Sequence, residues 1–341
     1  MHLSMKPFRS RILPLAAAIV GGALPIAAFA QTTATTTPVG FVTVTVPAAT
    51  SSTTPSSAPI AIPLYNSAAF QGTVSSVDSS SAFSLSGAAF TANQYSSSSA
   101  PYFVRMMSGT NVGRFFLITS NTTTQLTVNA NGVNLTTLLT VGDSAQIVPA
   151  NTLSSVFGAT ATGFQTGVDA SSSDNVYLWN GTGWDLYYNN GTNWKKSGSL
   201  LSQNNVIVYP DEGLFISRRA TTGPLTLTVL GTVPSTTEQS DLAGAGSSFV
   251  PNRFPVDTQL GSIGFQNSPN WTSGPAAGQA DDVYIWNGTG WDVYYYNATN
   301  WKKSGSLLTQ DTKVIPAGTA VFVTRVNSAP AFLAQSLPYT P

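Results

Sequence analysis

The sequence predicts an all-β protein made of tandem small antiparallel β-sandwich or barrel-like modules with a duplicated Trp-rich hairpin. Three observations predict it. Short β-branched runs alternate in polarity and are split by Gly, Pro and Asn-Gly punctuation, as half-buried strands are. Beyond the first thirty residues no dozen-residue window carries a helical apolar stripe, and only Asn134 to Leu139 and Leu153 to Phe157 suit a turn or two of helix. Finally, a 30-residue segment recurs almost unchanged within the chain.

Taken in order, residues 1–30 read as a secretory signal. Lys6, Arg9 and Arg11 precede an apolar stretch from Ile12 to Ala27, and Ala28-Phe29-Ala30 offers a small-x-small cleavage site before Gln31. The stretch is short for a membrane span, and no later run is long enough for a transmembrane helix after the signal. Residues 31–150 form a Ser/Thr-rich N-terminal β domain, with strands at Val39 to Val46, Phe70 to Val77, Tyr102 to Met107, Gly113 to Ile118 and Thr124 to Val128. Two repeat modules follow at 151–233 and 258–333, separated by a connector at 234–257 and closed by a tail at 334–341.

The repeat is the strongest signal. Asp174 to Gln203 recurs as Asp281 to Gln310, identical at 24 of 30 positions with an offset of 107. In the first copy Asn180-Gly181-Thr182-Gly183 is a turn that sets Trp179 opposite Trp184. Alternation then puts Tyr177, Trp179, Trp184, Leu186 and Tyr188 on one face, and Val176, Leu178, Asp185 and Tyr187 on the other.

Composition excludes much chemistry. Of the 341 residues 8% are charged, with 14 basic and 14 acidic groups, against roughly 25% in ordinary globular domains. No Lys/Arg stripe is present to neutralise phosphates, so nucleic acid is not a partner. The chain has no Cys and a single His, His2, inside the signal; thiol, imidazole and thiolate-metal chemistry are therefore absent from the exported chain. The carboxylates Asp174, Asp185, Asp281 and Asp292 lack the spacing of a calcium loop, and a duplicated acid pair is unusual for an active site, so no catalytic, metal or cofactor residue is assigned and no enzyme is expected.

A ligand site, if there is one, lies at the duplicated hairpin ends: Tyr177, Trp179, Asn180 and Trp194, with copies Tyr284, Trp286, Asn287 and Trp301. Trp and Tyr faces stack on sugar rings, and Asn reads hydroxyls. The opposing expectation is that these aromatics are core, because small modules without disulfides need dense packing.

The segments Pro38 to Ala48, Tyr102 to Thr119, Phe254 to Phe265, the second Trp hairpin and Pro316 to Arg325 resemble an uncharacterised family of secreted proteins of Verrucomicrobia and related bacteria. The resemblance implies a secreted, periplasmic or cell-surface protein of a Gram-negative-type bacterium, and no activity. The functional expectation is an exported, non-enzymatic structural or surface-interaction protein. The alternatives are a carbohydrate-binding protein that uses the Trp hairpins on a surface polysaccharide or another cell-envelope component, and an outer-membrane β-barrel.

Overall fold

The computed structural model describes residues 37–51 and 53–340; the signal segment 1–30 lies outside the described residues. The chain begins with β1 (Val39–Val46) and β2 (Ser56–Ile60). It continues through β3 (Phe70–Val77), β4 (Ala82–Leu85), β5 (Ser96–Ser97), β6 (Ala100–Met106), β7 (Phe115–Asn121), β8 (Gln125–Asn129), the short α1 (Leu135–Leu138) and β9 (Ser144–Pro149). Next come β10 (Asn151–Thr152), α2 (Leu153–Phe157), β11 (Asn175–Trp179), β12 (Trp184–Asn189), β13 (Trp194–Lys196), β14 (Ile207–Val208), β15 (Leu214–Arg218) and β16 (Leu225–Thr232). The last strands are β17 (Glu238–Leu242), β18 (Ser247–Pro251), β19 (Thr258–Gln259), β20 (Asp282–Trp286), β21 (Trp291–Tyr296), β22 (Trp301–Lys303), β23 (Val314–Ile315), β24 (Ala320–Thr324) and β25 (Ala331–Gln335). The fold is all-β, as expected, and the two helical turns fall where the sequence puts them.

Strand pairing redraws the internal boundaries. In the first repeat the sheet order is β13-β12-β11-β15-β2, beside a ribbon of β1 and β16. In the second it is β22-β21-β20-β24-β18, beside a ribbon of β17 and β25. The roles of β1 and β2 are thus taken in the second copy by β17 and β18. The segment read as a connector, 234–257, supplies two strands of the second module, and the expected N-terminal domain gives its first two strands to the first module. The expected tail is also packed: Gln335 ends β25, and Tyr339 donates to the Pro234 carbonyl at 2.9 Å. Pairings between strands about 70 to 190 residues apart are what makes these boundaries invisible to local patterning.

Between β2 and β10 the chain builds a separate body. Strands β6-β7-β8-β4-β3-β9 pair in that order, and β9 pairs back onto β6, closing a six-stranded barrel. Phe83, Val104, Phe116, Leu126 and Ile147 fill its interior. Its strands are four to eight residues long, short of the roughly 9–11 that cross a bilayer. Among the described residues no helix is long and apolar enough to cross a membrane.

Each repeat module has its own core. In the first, Val46, Ile60, Val176, Tyr187, Ile216 and Leu225 pack around Trp194; in the second, Val250, Val283, Tyr294, Val323 and Leu333 pack around Trp301. Buried clasps lock the modules. Asp174 accepts from Arg218 Nη1 at 2.8 Å and from the Gln165 and Arg219 amides at 2.8 and 2.6 Å. Asp281 repeats the arrangement with the Thr272 and Val326 amides and Arg325. These aspartates are structural, with their lone pairs used by the fold.

Candidate functional site

The hairpins form in the register that the turn dictates: Trp179 pairs with Trp184, Tyr177 with Leu186 and Val176 with Tyr187, and the second copy pairs Trp286 with Trp291. Asn180 sets the turn, its Oδ1 accepting from the Thr182 and Gly183 amides at 3.1 and 2.8 Å, while Gly181 takes a φ of 93°. Asn287 does the same with Thr289 and Gly290. In both copies the asparagine amide also bonds the following Asp, Asp185 or Asp292.

The face carrying Tyr177, Trp179 and Trp184 is only partly open to water. It meets the same face of the second module. Trp179 stacks edge-on against Phe322 at 5.1 Å, and Trp286 mirrors it against Phe215 at 5.3 Å. Trp184 and Trp291 fill the middle, with Phe249 as an asymmetric addition opposite Phe322. Pro59 sits opposite Phe215 in the first copy, so only one half of the seam gains this extra ring. A 240 Å³ cavity remains, lined by Tyr177, Trp184, Phe215, Trp291 and Phe322. The duplicated aromatics are therefore chiefly a pseudo-symmetric seam between modules, which corrects the expectation of two open platforms. Tyr284 and Trp286 are half-buried. Trp194 and Trp301 are fully buried in the module cores, and the Trp194 indole donates to the Gly158 carbonyl at 2.8 Å; no ligand reaches either.

Trp179 and Asn180 do reach a second and larger space. A cleft of 1420 Å³ lies where the barrel and both modules meet. Trp179, Asn180, Tyr209 and Phe332 line it, with Asp211 and Glu212 from the segment between β14 and β15 and Asp241 from β17. Arg114 on the barrel side is engaged by Asp241. Glu212 is solvent-exposed at the cleft, with the half-buried Asp211 beside it and the cleft walls nearby. Desolvation by those walls, then the neighbouring Asp211 and Asp241, pushes its carboxyl up to about 8. Burial likewise raises Asp211 to about 6, against the opposing pull of Arg253 and with a further push from Asp241. Tyr209 is raised by burial and by both acids. The cleft thus presents a carboxyl of raised pKa at Glu212 beside further acids, an amide and aromatic faces. Among the described residues no three His, Cys, Asp or Glu side chains converge as a metal site.

Sequence reasoning found Trp179 and Asn180 but missed Tyr209, Asp211, Glu212 and Asp241. One signal was available. In the register of the repeat the first copy reads Tyr209-Pro210-Asp211-Glu212-Gly213 where the second reads Pro316-Ala317-Gly318-Thr319-Ala320. Two adjacent acids mark a departure of one copy from the other in a chain poor in charge.

Both acids hold their protons more tightly in the fold than in the unfolded chain. They favour the fold fully below the ordinary carboxylate range, and that stabilisation is lost as pH rises, through about 6 for Asp211 and about 8 for Glu212. The thermal midpoint of wild type is expected to fall between about pH 5 and pH 9, and Glu212→Gln to fall less over the same interval. An identical fall in the variant, measured by calorimetry, would show that Glu212 titrates normally.

Compared with protein-family models, curated proteins and solved structures, the chain matches none.

Proposed function

We propose that the protein is an exported, non-enzymatic surface-interaction protein that binds carbohydrate in the cleft at the junction of its barrel and two modules. The observation that carries this reading is that Trp179, Tyr209, Asn180 and the Glu212 carboxyl line one cleft. Flat aromatic faces suit sugar rings, and a group that both donates and accepts suits hydroxyls. A polysaccharide of the cell surface is the partner class that fits an exported chain. A second reading, a purely structural scaffold, is favoured by the aromatic seam, which uses most of the duplicated Trp surface internally.

The test is binding of a panel of neutral oligosaccharides and polysaccharides by the chain from Gln31 onward. Wild type and Glu212→Gln are expected to bind alike near neutral pH. Above about pH 8 wild type weakens as its carboxyl ionises, while the Gln variant does not. Glu212→Ala, which loses the hydrogen bond, is expected to bind about tenfold more weakly throughout. Retention of no glycan by folded wild type, or equal binding by Glu212→Ala, would leave the scaffold reading in its place.

A further inference from the structure

Each module carries an apolar crest that neither the seam nor the cleft uses. After β13 the chain runs Ser197-Gly198-Ser199-Leu200-Leu201, and after β22 Ser304-Gly305-Ser306-Leu307-Leu308. The leucines are among the most exposed apolar residues of the protein: 92% and 72% in the first copy, 93% and 72% in the second. Their exposure does not come from a frayed loop, because the two turns are built alike. Gly198 and Gly305 each take a φ of 80°, and the Leu201 and Leu308 amides donate to Ser199 and Ser306 Oγ, both at 3.2 Å. A lysine ties each crest to the sheet: Lys195 Nζ donates to the Leu200 carbonyl at 2.6 Å, and Lys302 Nζ to the Leu307 carbonyl at 2.8 Å.

Charge at each crest is one-sided. Lys196 is neutralised by Asp185 at 2.6 Å and Lys303 by Asp292 at 2.8 Å, which leaves Lys195 and Lys302 as ammonium groups directly behind the leucines. In the second module Lys313 adds to the positive field at Asp292. A convex crest two leucines wide offers a small part of the roughly 800 Å² per partner that a specific protein interface buries. It suits a fluid surface, where the leucines enter the acyl boundary and the ammonium meets a headgroup phosphate.

We propose that the two Leu-Leu crests are lipid-contact elements that dock the protein on an anionic bilayer surface. The site is separate from the cleft and does not depend on what the cleft binds.

Flotation with vesicles of phosphatidylglycerol and phosphatidylethanolamine, against vesicles of phosphatidylcholine, is the test. Wild type is expected to float with the anionic vesicles. The variant Leu200→Ser/Leu201→Ser/Leu307→Ser/Leu308→Ser is expected to bind at least about tenfold more weakly, since each buried leucine contributes strongly to transfer. These side chains are exposed, so folding should be unchanged. Lys195→Gln/Lys302→Gln is expected to lose about fivefold per lysine on anionic vesicles and little on phosphatidylcholine. Because the chain has no cysteine, Leu201→Cys carrying an environment-sensitive dye reports the crest alone, and its emission is expected to shift blue on binding. Absence of flotation, equal flotation by the serine variant, or an unshifted dye would overturn the proposal.

Discussion

Glu238→Ala is expected to destabilise the protein by about 3–5 kcal/mol, the loss typical of breaking a buried ion pair from one side. Glu238 lies fully buried on β17. Its Oε2 accepts from the Tyr65 hydroxyl at 2.7 Å and from Arg253 Nη2 at 2.8 Å, and its Oε1 accepts from Arg105 of the barrel. Both guanidiniums are also buried, with the Phe115 ring 5.4 Å from that of Arg253. Removing the carboxylate leaves two desolvated cations facing each other without the counter-charge they share. Burial, the largest influence on the Tyr65 hydroxyl, raises its pKa and keeps it a donor at every accessible pH. Arg105→Met should cost less, because the Glu238–Arg253 pair survives it. Urea unfolding would measure both, with a lower midpoint and an unchanged slope. A change below about 1 kcal/mol for Glu238→Ala would mean that water enters the network and replaces the carboxylate.

Part of the fold was legible in the sequence and part was not, according to how locally each pairing is specified. The Trp179–Trp184 register was readable because Asn180 and Gly181 specify it within four residues. The pairing of β1 with β16 was not, since Val42, Val44 and Val46 mark a buried face without naming the strand that shares it. An entire barrel intervenes before the partner arrives. Alternation also identified two apolar faces on each hairpin but could not rank them. Val176 and Tyr187 face the module core, whereas Tyr177 and Trp179 face the neighbouring module. Trp194, grouped in the sequence with the ligand residues, belongs to the first of these environments. The cleft was the least legible part. Glu212 owes its raised pKa to walls contributed by segments more than a hundred residues apart in sequence, and single-sequence patterning carries no record of that meeting.

Core and seam should differ in energy, and a pair of tryptophan truncations separates them. Trp194→Ala is expected to cost about 3–5 kcal/mol. The ring is fully buried, with Phe164 at 5.5 Å and Phe157 at 5.7 Å, and its indole bond to the Gly158 carbonyl is lost with it. The surrounding strands hold their places, so the vacated volume stays as a cavity. Trp301→Ala should behave similarly in the second module, where the ring is equally buried beside Trp271 and Tyr296. Trp184 is different. It keeps 36% of its surface exposed and borders a cavity that already exists, so truncation widens an open space instead of creating a closed one. Its loss is partial burial together with edge contacts to rings such as Trp179, Phe249 and Phe322, made by a ring that stays partly in water. The expected cost of Trp184→Ala is therefore about 1–3 kcal/mol, below that of Trp194→Ala. Denaturant unfolding of the two variants side by side decides the matter. Equal or inverted costs would mean that the seam, and not the module core, is the tightly packed centre of each repeat.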